Sequence, residues 1–221
     1  MKCLYQIADY DVYCFALMPI DSKMYCILNN TDALVVDPCL SNEALEFLKH
    51  KQIDNITAFL THEHIDHISG VNLLRENFKV KVICSQKCAE RIRETRKNLA
   101  AYFEGMFSLR TNSEIREIKK LNLTEYTCYA DEFFDGEIQY QWYDLNIKCI
   151  ELPGHSPGSI GIIINNKYIF SGDSFIPGEE VITRLPGSNK KSYNDITKPF
   201  FSNLARESMI FPGHGNAIII D

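Results

Sequence analysis

The chain has 221 residues, of which 45% are hydrophobic and 24% are charged, and its formal net charge is −6. These values are typical of one globular domain, here residues 1–221, with a substantial core that needs no disulfide bonds. The negative charge argues against binding to nucleic acid or to anionic membranes, and no apolar run predicts a signal peptide or a membrane span. We therefore expect a cytoplasmic protein, whose oligomeric state the composition does not define.

Strands and helices alternate in the first part of the chain. Apolar and β-branched runs at 12–18, 24–28 and 33–36 predict strands. Ser41 predicts the N-cap of a helix with one apolar stripe. A strand then leads directly into the segment H-E-H-I-D-H, and Gly70 opens a short helix that precedes another strand. This alternation predicts β-sheets that are covered by helices.

The segment 86–120 has a different character. Its apolar residues recur at steps of three and four, which predicts one face of a long helix. It carries nine Lys or Arg residues against five Glu. We interpret it first as a surface helix with a solvated charged face. The alternative is a helical lid over the functional site that favours an anionic substrate.

The second half returns to β structure. A strand ends just before P-G-H-S-P-G, and the N-N-K turn between two apolar runs predicts a hairpin whose second strand ends next to Asp173. A helix near 190–206 then precedes M-I-F-P-G-H-G. Each cluster of histidine or aspartate thus follows a β run. Loops at strand ends are places where ligands from distant parts of a chain can converge.

Five of the six histidines lie in these loops, which makes metal binding the first hypothesis. Residues two apart in extended backbone point the same way, so His62 and His64 can hold one ion. Asp66 and His67 face a second ion. The complete set of predicted metal ligands is His62, His64, Asp66, His67, His155, Asp173 and His214.

In this assignment His155 completes the first ion's ligands, His214 completes the second ion's ligands, and Asp173 bridges the two. Imidazole and carboxylate suit two Zn²⁺ ions, and also iron or manganese. Two such ions generate a hydroxide nucleophile and polarise a carbonyl, while Asp66 has a catalytic role in orienting the nucleophile. A structural zinc site is the alternative, but such sites are usually cysteine-rich and four-coordinate.

The eight cysteines are scattered without a C-x-x-C pair, and several lie in apolar runs. We therefore expect reduced, buried thiols, as in a cytosolic protein. Cys84 and Cys88 have helical spacing, so the alternative for these two is pairing or metal binding.

The motifs T-H-E-H-I-D-H, V-V-D-P, P-G-H-S-P-G-S, S-G-D and P-G-H-G, in this order, resemble those of the metallo-β-lactamase superfamily. The resemblance spans roughly residues 12–216 and is closest to the hydroxyacylglutathione hydrolase (glyoxalase II) branch. It implies an α/β fold, namely a four-layer αββα sandwich in which 86–120 is a helical insertion. It also implies the metal ligands assigned above, with Asp37 as a buried structural carboxylate near the site.

The resemblance implies a dinuclear metal-dependent hydrolase in which a metal-bridging hydroxide cleaves a small acyl substrate, either a hydroxyacyl-glutathione-like thioester or a lactone or other ester. Glyoxalase II has an additional C-terminal helical region that helps to hold glutathione, whereas the given sequence ends seven residues after His214. Short relatives of that enzyme usually carry G-R-T-D before L-P-G, whereas V-I-T-R precedes it here, so that Arg184 lies at a different position. One of four residues in the loop before the last helix could bind a substrate carboxylate or polarise the leaving group, and a solvated surface role is the alternative: Arg184, Lys190, Lys191 and Tyr193. The alternatives are an iron-dependent persulfide dioxygenase-like oxidoreductase, a phosphodiesterase and a non-catalytic sensor.

Overall fold

A computed structural model describes the backbone of residues 3–221 and the side chains from Tyr5 onward. The first of its two sheets is formed by the first part of the chain, and its strands lie in chain order. The first four strands pair antiparallel and the last four pair parallel. The strands are β1 (Cys3–Ile7), β2 (Tyr10–Leu17), β3 (Ser22–Asn29), β4 (Asp32–Val36), β5 (Asn55–Phe59), β6 (Lys79–Ser85) and β7 (Glu132–Phe134).

The second sheet is formed by the rest of the chain, in the order β13-β12-β11-β10-β9-β8. Its pairs are antiparallel except for β11 with β12, which pair parallel. The predicted hairpin is confirmed: Asn165 and Asn166 both have positive φ, as a tight turn between β10 and β11 requires. The strands are β8 (Glu137–Trp142), β9 (Leu145–Glu151), β10 (Ile160–Ile164), β11 (Tyr168–Gly172), β12 (Met209–Pro212) and β13 (Ile218–Ile219).

Short helices connect the strands. Ser41 caps the first helix as predicted, since its hydroxyl accepts a hydrogen bond from the Ala44 amide at 3.2 Å. None of the helices that the structure describes could cross a membrane. The helices are α1 (Asn42–His50), α2 (Ile65–Ile68), α3 (Val71–Asn77), α4 (Gln86–Arg91), α5 (Phe103–Met106), α6 (Asn112–Lys120), α7 (Lys190–Ser192) and α8 (Lys198–Ser202), with a 3₁₀ turn at Ala100–Tyr102 and a π-helical turn at Tyr193–Thr197.

Three apolar clusters separate four layers. One cluster, which includes Phe59 and Phe170, lies between the two sheets. A second joins the first sheet to the helices that follow its strands, and a third joins the second sheet to α8 through Phe201. Burial of each large apolar side chain stabilises the fold by about 1.5–3 kcal/mol. The predicted four-layer αββα sandwich is confirmed.

The long helix predicted for 86–120 is wrong. The segment forms separate short helices: α4 already ends at Arg91, and Leu99, which precedes the 3₁₀ turn, adopts a left-handed conformation with φ of 67° that no continuous helix can contain. A new helix, α6, then starts at Asn112, and its N-cap Thr111 forms a capping box with Glu114. The helix predicted near 190–206 ends earlier, at Ser202.

Candidate metal centre

The predicted site residues converge at one edge of the sandwich, where strands of both sheets end. Asp37 follows β4, and the H-E-H-I-D-H segment follows β5 and continues into α2. His155 lies between β9 and β10, Asp173 follows β11, and His214 follows β12. A β-bridge between Ser22 and His214 joins the two sheets at this point. The site therefore depends on residues from both halves of the chain.

His62, His64 and His155 form the first group. Each offers a ring nitrogen within 4.8 Å of the others, and all three side chains are buried. His64 Nδ1 lies 2.9 Å from His155 Nε2, so these two nitrogens face the same point. This is the three-histidine set that the sequence predicted for one ion.

Asp66, His67 and His214 form the second group. His67 Nε2 lies 3.3 Å from His214 Nε2 and 3.4 Å from Asp66 Oδ2, and His214 Nε2 lies 3.4 Å from the same oxygen. Ligands at 2.0–2.1 Å from a tetrahedral ion are about 3.3–3.4 Å apart. The three donor atoms therefore have the spacing of ligands around one metal ion.

Asp173 lies between the two groups. Its Oδ1 is 3.3 Å from His67 Nε2, and its Oδ2 is 3.5 Å from both His155 Nε2 and His214 Nε2. One carboxylate thus contacts the histidines of both groups, as a bridging ligand must. The structure brings all seven predicted ligands into one cluster.

Several buried polar atoms in this cluster need a partner. His62 Nε2, His64 Nε2 and Asp173 Oδ1 are buried without a hydrogen-bond partner among the described residues. A buried polar atom without a partner is unfavourable by about 1–3 kcal/mol. Coordination of a cation would satisfy at least His62 Nε2 and Asp173 Oδ1, which face the cluster. The residues present therefore fit a metal centre.

The outer ring nitrogens are held by the protein. His62 Nδ1 lies 3.0 Å from Thr61 Oγ1, His67 Nδ1 lies 3.2 Å from Asp37 Oδ2, and His155 Nδ1 lies 3.0 Å from the Ile182 carbonyl. These partners assign the proton to Nδ1 and leave Nε2 free to bind a metal. The histidines are therefore oriented as ligands by their outer hydrogen bonds.

Asp37 supports the site from below. It is buried, and it accepts hydrogen bonds from the Thr61 amide at 2.6 Å and from the Thr61 hydroxyl at 2.5 Å, in addition to the contact with His67. Asp37 also falls within ligand distance of His62 and His67. Because both of its oxygens already accept hydrogen bonds, we interpret it as a support for His67 rather than a ligand, as the resemblance implies.

The two groups differ in electrostatics. Burial lowers the pKa of His62 and His64 well below the ordinary value, so both rings are neutral and can bind a metal. Burial also acts to lower the pKa of His67 and His214, but the carboxylates of Asp66 and Asp173 outweigh it. They raise the pKa of His67 well above its ordinary value and that of His214 to about 10. The second group thus strongly favours positive charge.

Sequence reasoning missed Ser22. Its buried hydroxyl donates a hydrogen bond to Asp66 Oδ2 at 2.6 Å and so orients that carboxylate. Ser22 is the first residue of β3, and 44 residues separate it from Asp66. No local sequence signal indicates this contact.

A cleft of about 650 Å³ opens above the cluster, and it is large enough for a small molecule. Its floor includes ligand residues of both groups, and one wall comes from the segment 86–120. The lining residues of that wall are Leu99, Met106, Phe107 and Arg110, and those of the facing loop include Ile176, Ile182, Arg184 and Leu185. The position of this wall beside the cluster agrees with the alternative that 86–120 forms a lid over the site. Most charged side chains of the segment are nevertheless exposed, as the surface-helix interpretation predicts.

Most of the other residues that the sequence suggested for substrate or metal binding lie outside the cleft. Of the four residues predicted for substrate binding, only Arg184 lines the cleft. Lys190 and Lys191 are exposed, and Tyr193 packs against Gly154. Cys84 and Cys88 are buried free thiols in the core, as the simpler interpretation predicted.

Comparison with protein-family models gives one match. The model of the metallo-beta-lactamase superfamily (Lactamase_B) covers residues 19–214. The chain is 22% identical over 200 residues to the probable metallo-hydrolase YqgX of Bacillus subtilis, a match that covers 89% of this chain and 86% of that protein. It is 24% identical over 189 residues to the hydroxyacylglutathione hydrolase GloC of Haemophilus influenzae, with coverage of 84% and 81%.

Solved structures are similar across nearly the whole chain. The B3 metallo-beta-lactamase BLEG-1 has a TM-score of 0.74 at 23% identity, with coverage of 94% of this chain and 93% of that one. The di-iron-bound form of TTHA1623 has a TM-score of 0.70 at 21% identity, with 94% of each chain covered. At these identities the structural similarity shows the fold alone.

Proposed function

The chain belongs to the metallo-beta-lactamase superfamily, and from this premise we propose that it is a dinuclear metal-dependent hydrolase that cleaves a small acyl substrate. The observation that carries the proposal is the position of Asp173, whose oxygens lie 3.3 Å from His67 and 3.5 Å from His155, one residue of each ligand group. The similarity to GloC, a hydroxyacylglutathione hydrolase, supports a thioester as the first candidate substrate. A lactone or other ester is the second candidate.

We propose two zinc ions, with iron as the alternative. The donors are imidazole nitrogens and carboxylate oxygens, which suit either metal. A solved structure of the same fold contains two iron ions, which supports keeping this alternative. Bound ions supply two effects at this position: they lower the pKa of water toward neutrality and polarise the acyl carbonyl.

Asp66 orients the attacking water in the proposed reaction. Ser22 holds its Oδ2 in place by a hydrogen bond of 2.6 Å, and the carboxylate lines the cleft. From this position Asp66 accepts a hydrogen bond from the attacking water and directs a lone pair toward the carbonyl carbon.

The two serines next to site residues are not nucleophiles in this scheme. Ser156 Oγ donates to Glu63 at 2.7 Å, and Ser174 Oγ donates to the Leu152 carbonyl at 3.4 Å. Both hydroxyls are buried and bonded away from the cleft. Water is therefore the nucleophile that the geometry favours.

We propose further that the substrate has an apolar part and an anionic group. The cleft walls are mainly apolar, and Arg184 forms no ion pair within the described part of the chain, so its guanidinium is available to a ligand. Arg110, on the other wall, donates to the Pro19 carbonyl and to Glu114 through Nη1 only. A carboxylate bound by these two cations would orient the acyl group over the metal centre.

The first experiment combines metal analysis with a substrate panel. We expect about two zinc ions per chain and hydrolysis of thioesters or lactones, while phosphodiesters are not cleaved. Asp66→Ala should abolish hydrolysis, and Asp195→Ala, which alters an exposed carboxylate outside the cleft, should not. One iron per chain with oxygen consumption, or full activity of Asp66→Ala, would overturn the proposal.

The second experiment tests the anionic group. Arg184→Ala should raise KM for a thioester with a carboxylate about tenfold and leave KM for its neutral methyl ester unchanged, because one charged hydrogen bond contributes about 1.5 kcal/mol. Arg206→Ala, an exposed arginine outside the cleft, is the matched control. Equal effects on both substrates would contradict the anionic group.

The seven cysteines with described side chains are all free, which supports the cytoplasmic location that we propose.

A further inference from the structure

Glu63 is a fully buried carboxylate with no part in the proposed reaction. It stands between His62 and His64 in the sequence, and its side chain is 0% exposed. Neighbouring residues in extended backbone point to opposite sides, so the side chain of Glu63 points away from those of the two histidines. A buried charge persists only where it is paired and hydrogen-bonded. The partners of Glu63 therefore indicate what it does.

Both oxygens of Glu63 are occupied. Oε1 accepts a hydrogen bond from Arg91 Nε at 2.5 Å. Oε2 accepts hydrogen bonds from Ser156 Oγ at 2.7 Å and from the Gly158 amide at 3.2 Å. A side chain at position 158 would place its Cβ 2.5 Å from Oε2, so only glycine allows this approach.

Ser156 immediately follows His155. The Glu63 carboxylate therefore joins the two loops that together supply His62, His64 and His155. Behind the three histidines it fixes one loop relative to the other. In front of it, His64 Nδ1 and His155 Nε2 lie 2.9 Å apart, and this separation must be kept for both to bind one ion.

Arg91 extends the connection to the cleft walls. It lies in α4, and its Nη2 donates to the Lys97 carbonyl at 3.1 Å and to the Pro186 carbonyl at 3.4 Å. Lys97 precedes the wall that begins at Leu99, and Pro186 follows the loop that carries Arg184. One guanidinium thus contacts three separate segments around the site.

We propose that Glu63 and Arg91 form a positioning pair that sets the distance between the two histidine loops, and thereby the metal affinity of the three-histidine group. The inference rests on the proposed dinuclear site. Groups that orient metal ligands typically change metal affinity by about 10- to 100-fold when they are altered. Asp66, His67 and His214 are not bonded to either member of the pair, so the other group should keep its affinity.

The test uses Glu63→Gln and Arg91→Met, separately and combined, in the metal-loaded protein. Competition with a chelator measures the dissociation of each of the two ions, and thermal unfolding measures stability. We expect one of the two ions, the one held by the three-histidine group, to dissociate about 10- to 100-fold more readily in each single variant, with the other ion unchanged. The double variant should be no worse than either single one, since both members act as a unit.

The matched control is Arg75→Met. Arg75 pairs with Asp131 at 2.6 Å, away from the site, so its loss should lower the thermal midpoint and leave both ions bound as before. Arg91→Lys keeps the charge but loses part of the hydrogen bonding, and it should restore part of the affinity. If Glu63→Gln does not fold, the comparison of Arg91→Lys with Arg91→Met supplies the test.

Wild-type affinity for both ions in these variants would overturn the inference. So would a uniform loss of both ions in proportion to thermal stability, because that result indicates a purely structural pair. A wild-type protein that binds two ions but hydrolyses no substrate would contradict the proposed function alone. A wild-type protein that binds no metal would overturn both.

Discussion

Replacing Asp37 by Asn tests whether this carboxylate controls the metal centre. The carboxylate accepts three hydrogen bonds, two from Thr61 and one from His67. Asparagine has the same size and tolerates the left-handed backbone at this position, where φ is 52°. It offers one acceptor oxygen instead of two, so in either amide orientation a buried N–H faces another donor.

The loss in free energy of unfolding caused by Asp37→Asn follows from these contacts. Loss of the charge weakens the two remaining hydrogen bonds by about 1 kcal/mol each, and the opposed donors are unfavourable by about 1–3 kcal/mol. The sum is about 3–5 kcal/mol, which for a chain of this length lowers the thermal midpoint by about 10 °C. Because His67 loses its orientation, we also expect metal affinity at its group to fall by about 10- to 100-fold.

Thermal unfolding and chelator competition measure both effects. The matched control is Asp32→Asn, at the other end of β4. The Asp32 carboxylate accepts two hydrogen bonds, from Asn55 and Tyr143, but the residue is only half-buried. We expect this variant to lose less than about 1 kcal/mol and to keep both ions. If Asp37→Asn matched the control in both measurements, Asp37 would not support the centre.

Gly172→Ala should lower the thermal midpoint more than Gly136→Ala. Both glycines have positive φ, but only at position 172 does the added Cβ come close to another atom, at 2.3 Å from Thr61 Oγ1. Equal shifts of the midpoint would show that backbone strain alone matters. In the metal-free protein, the raised pKa of His214, about 10, contributes stability that is full below its ordinary value of 6.5 and is lost as the pH rises toward 10. Urea titrations should therefore show a smaller loss between these pH values for His214→Ala than for wild type, and identical losses would refute the assignment. Removal of metal should lower the thermal midpoint, and adding the metal back should restore the midpoint, since a metal ion at a concentration of 100 times its Kd stabilises the folded state by about 2.7 kcal/mol. An unchanged midpoint would contradict a metal centre formed in the folded protein.

The elements that could be predicted from the sequence are those with a local signal. The strand and helix pattern around the H-E-H-I-D-H segment depends on neighbours in the chain, and Ser41 caps α1 as its position predicted. The seven candidate ligands could be identified because histidine is scarce and each one follows a strand. Their convergence in space agrees with the expectation for loops at strand ends.

The contacts that could not be predicted join residues far apart in sequence. Ser22 reaches Asp66 across 44 positions, and Arg91 reaches Glu63 across 28. The helical pattern of 86–120 was misleading because the spacing of apolar residues does not show where the backbone leaves the helical conformation, here after Arg91 and again at the left-handed Leu99. A left-handed residue cannot lie inside a continuous helix, whatever the pattern on either side.

The two sheets are formed by consecutive stretches of chain that meet at Asp135 and Gly136, between β7 and β8. During synthesis, the first sheet can therefore assemble before any strand of the second exists, and the candidate metal ligands that it carries have no opposing histidines at that time. Binding of the proposed ions therefore requires that the two stretches have docked. Gly136 is exposed, and a Cβ added there would meet no other atom within 4 Å. We expect a chain cut there to yield two fragments that reassociate through the apolar cluster between the sheets, and more tightly when metal ions are present.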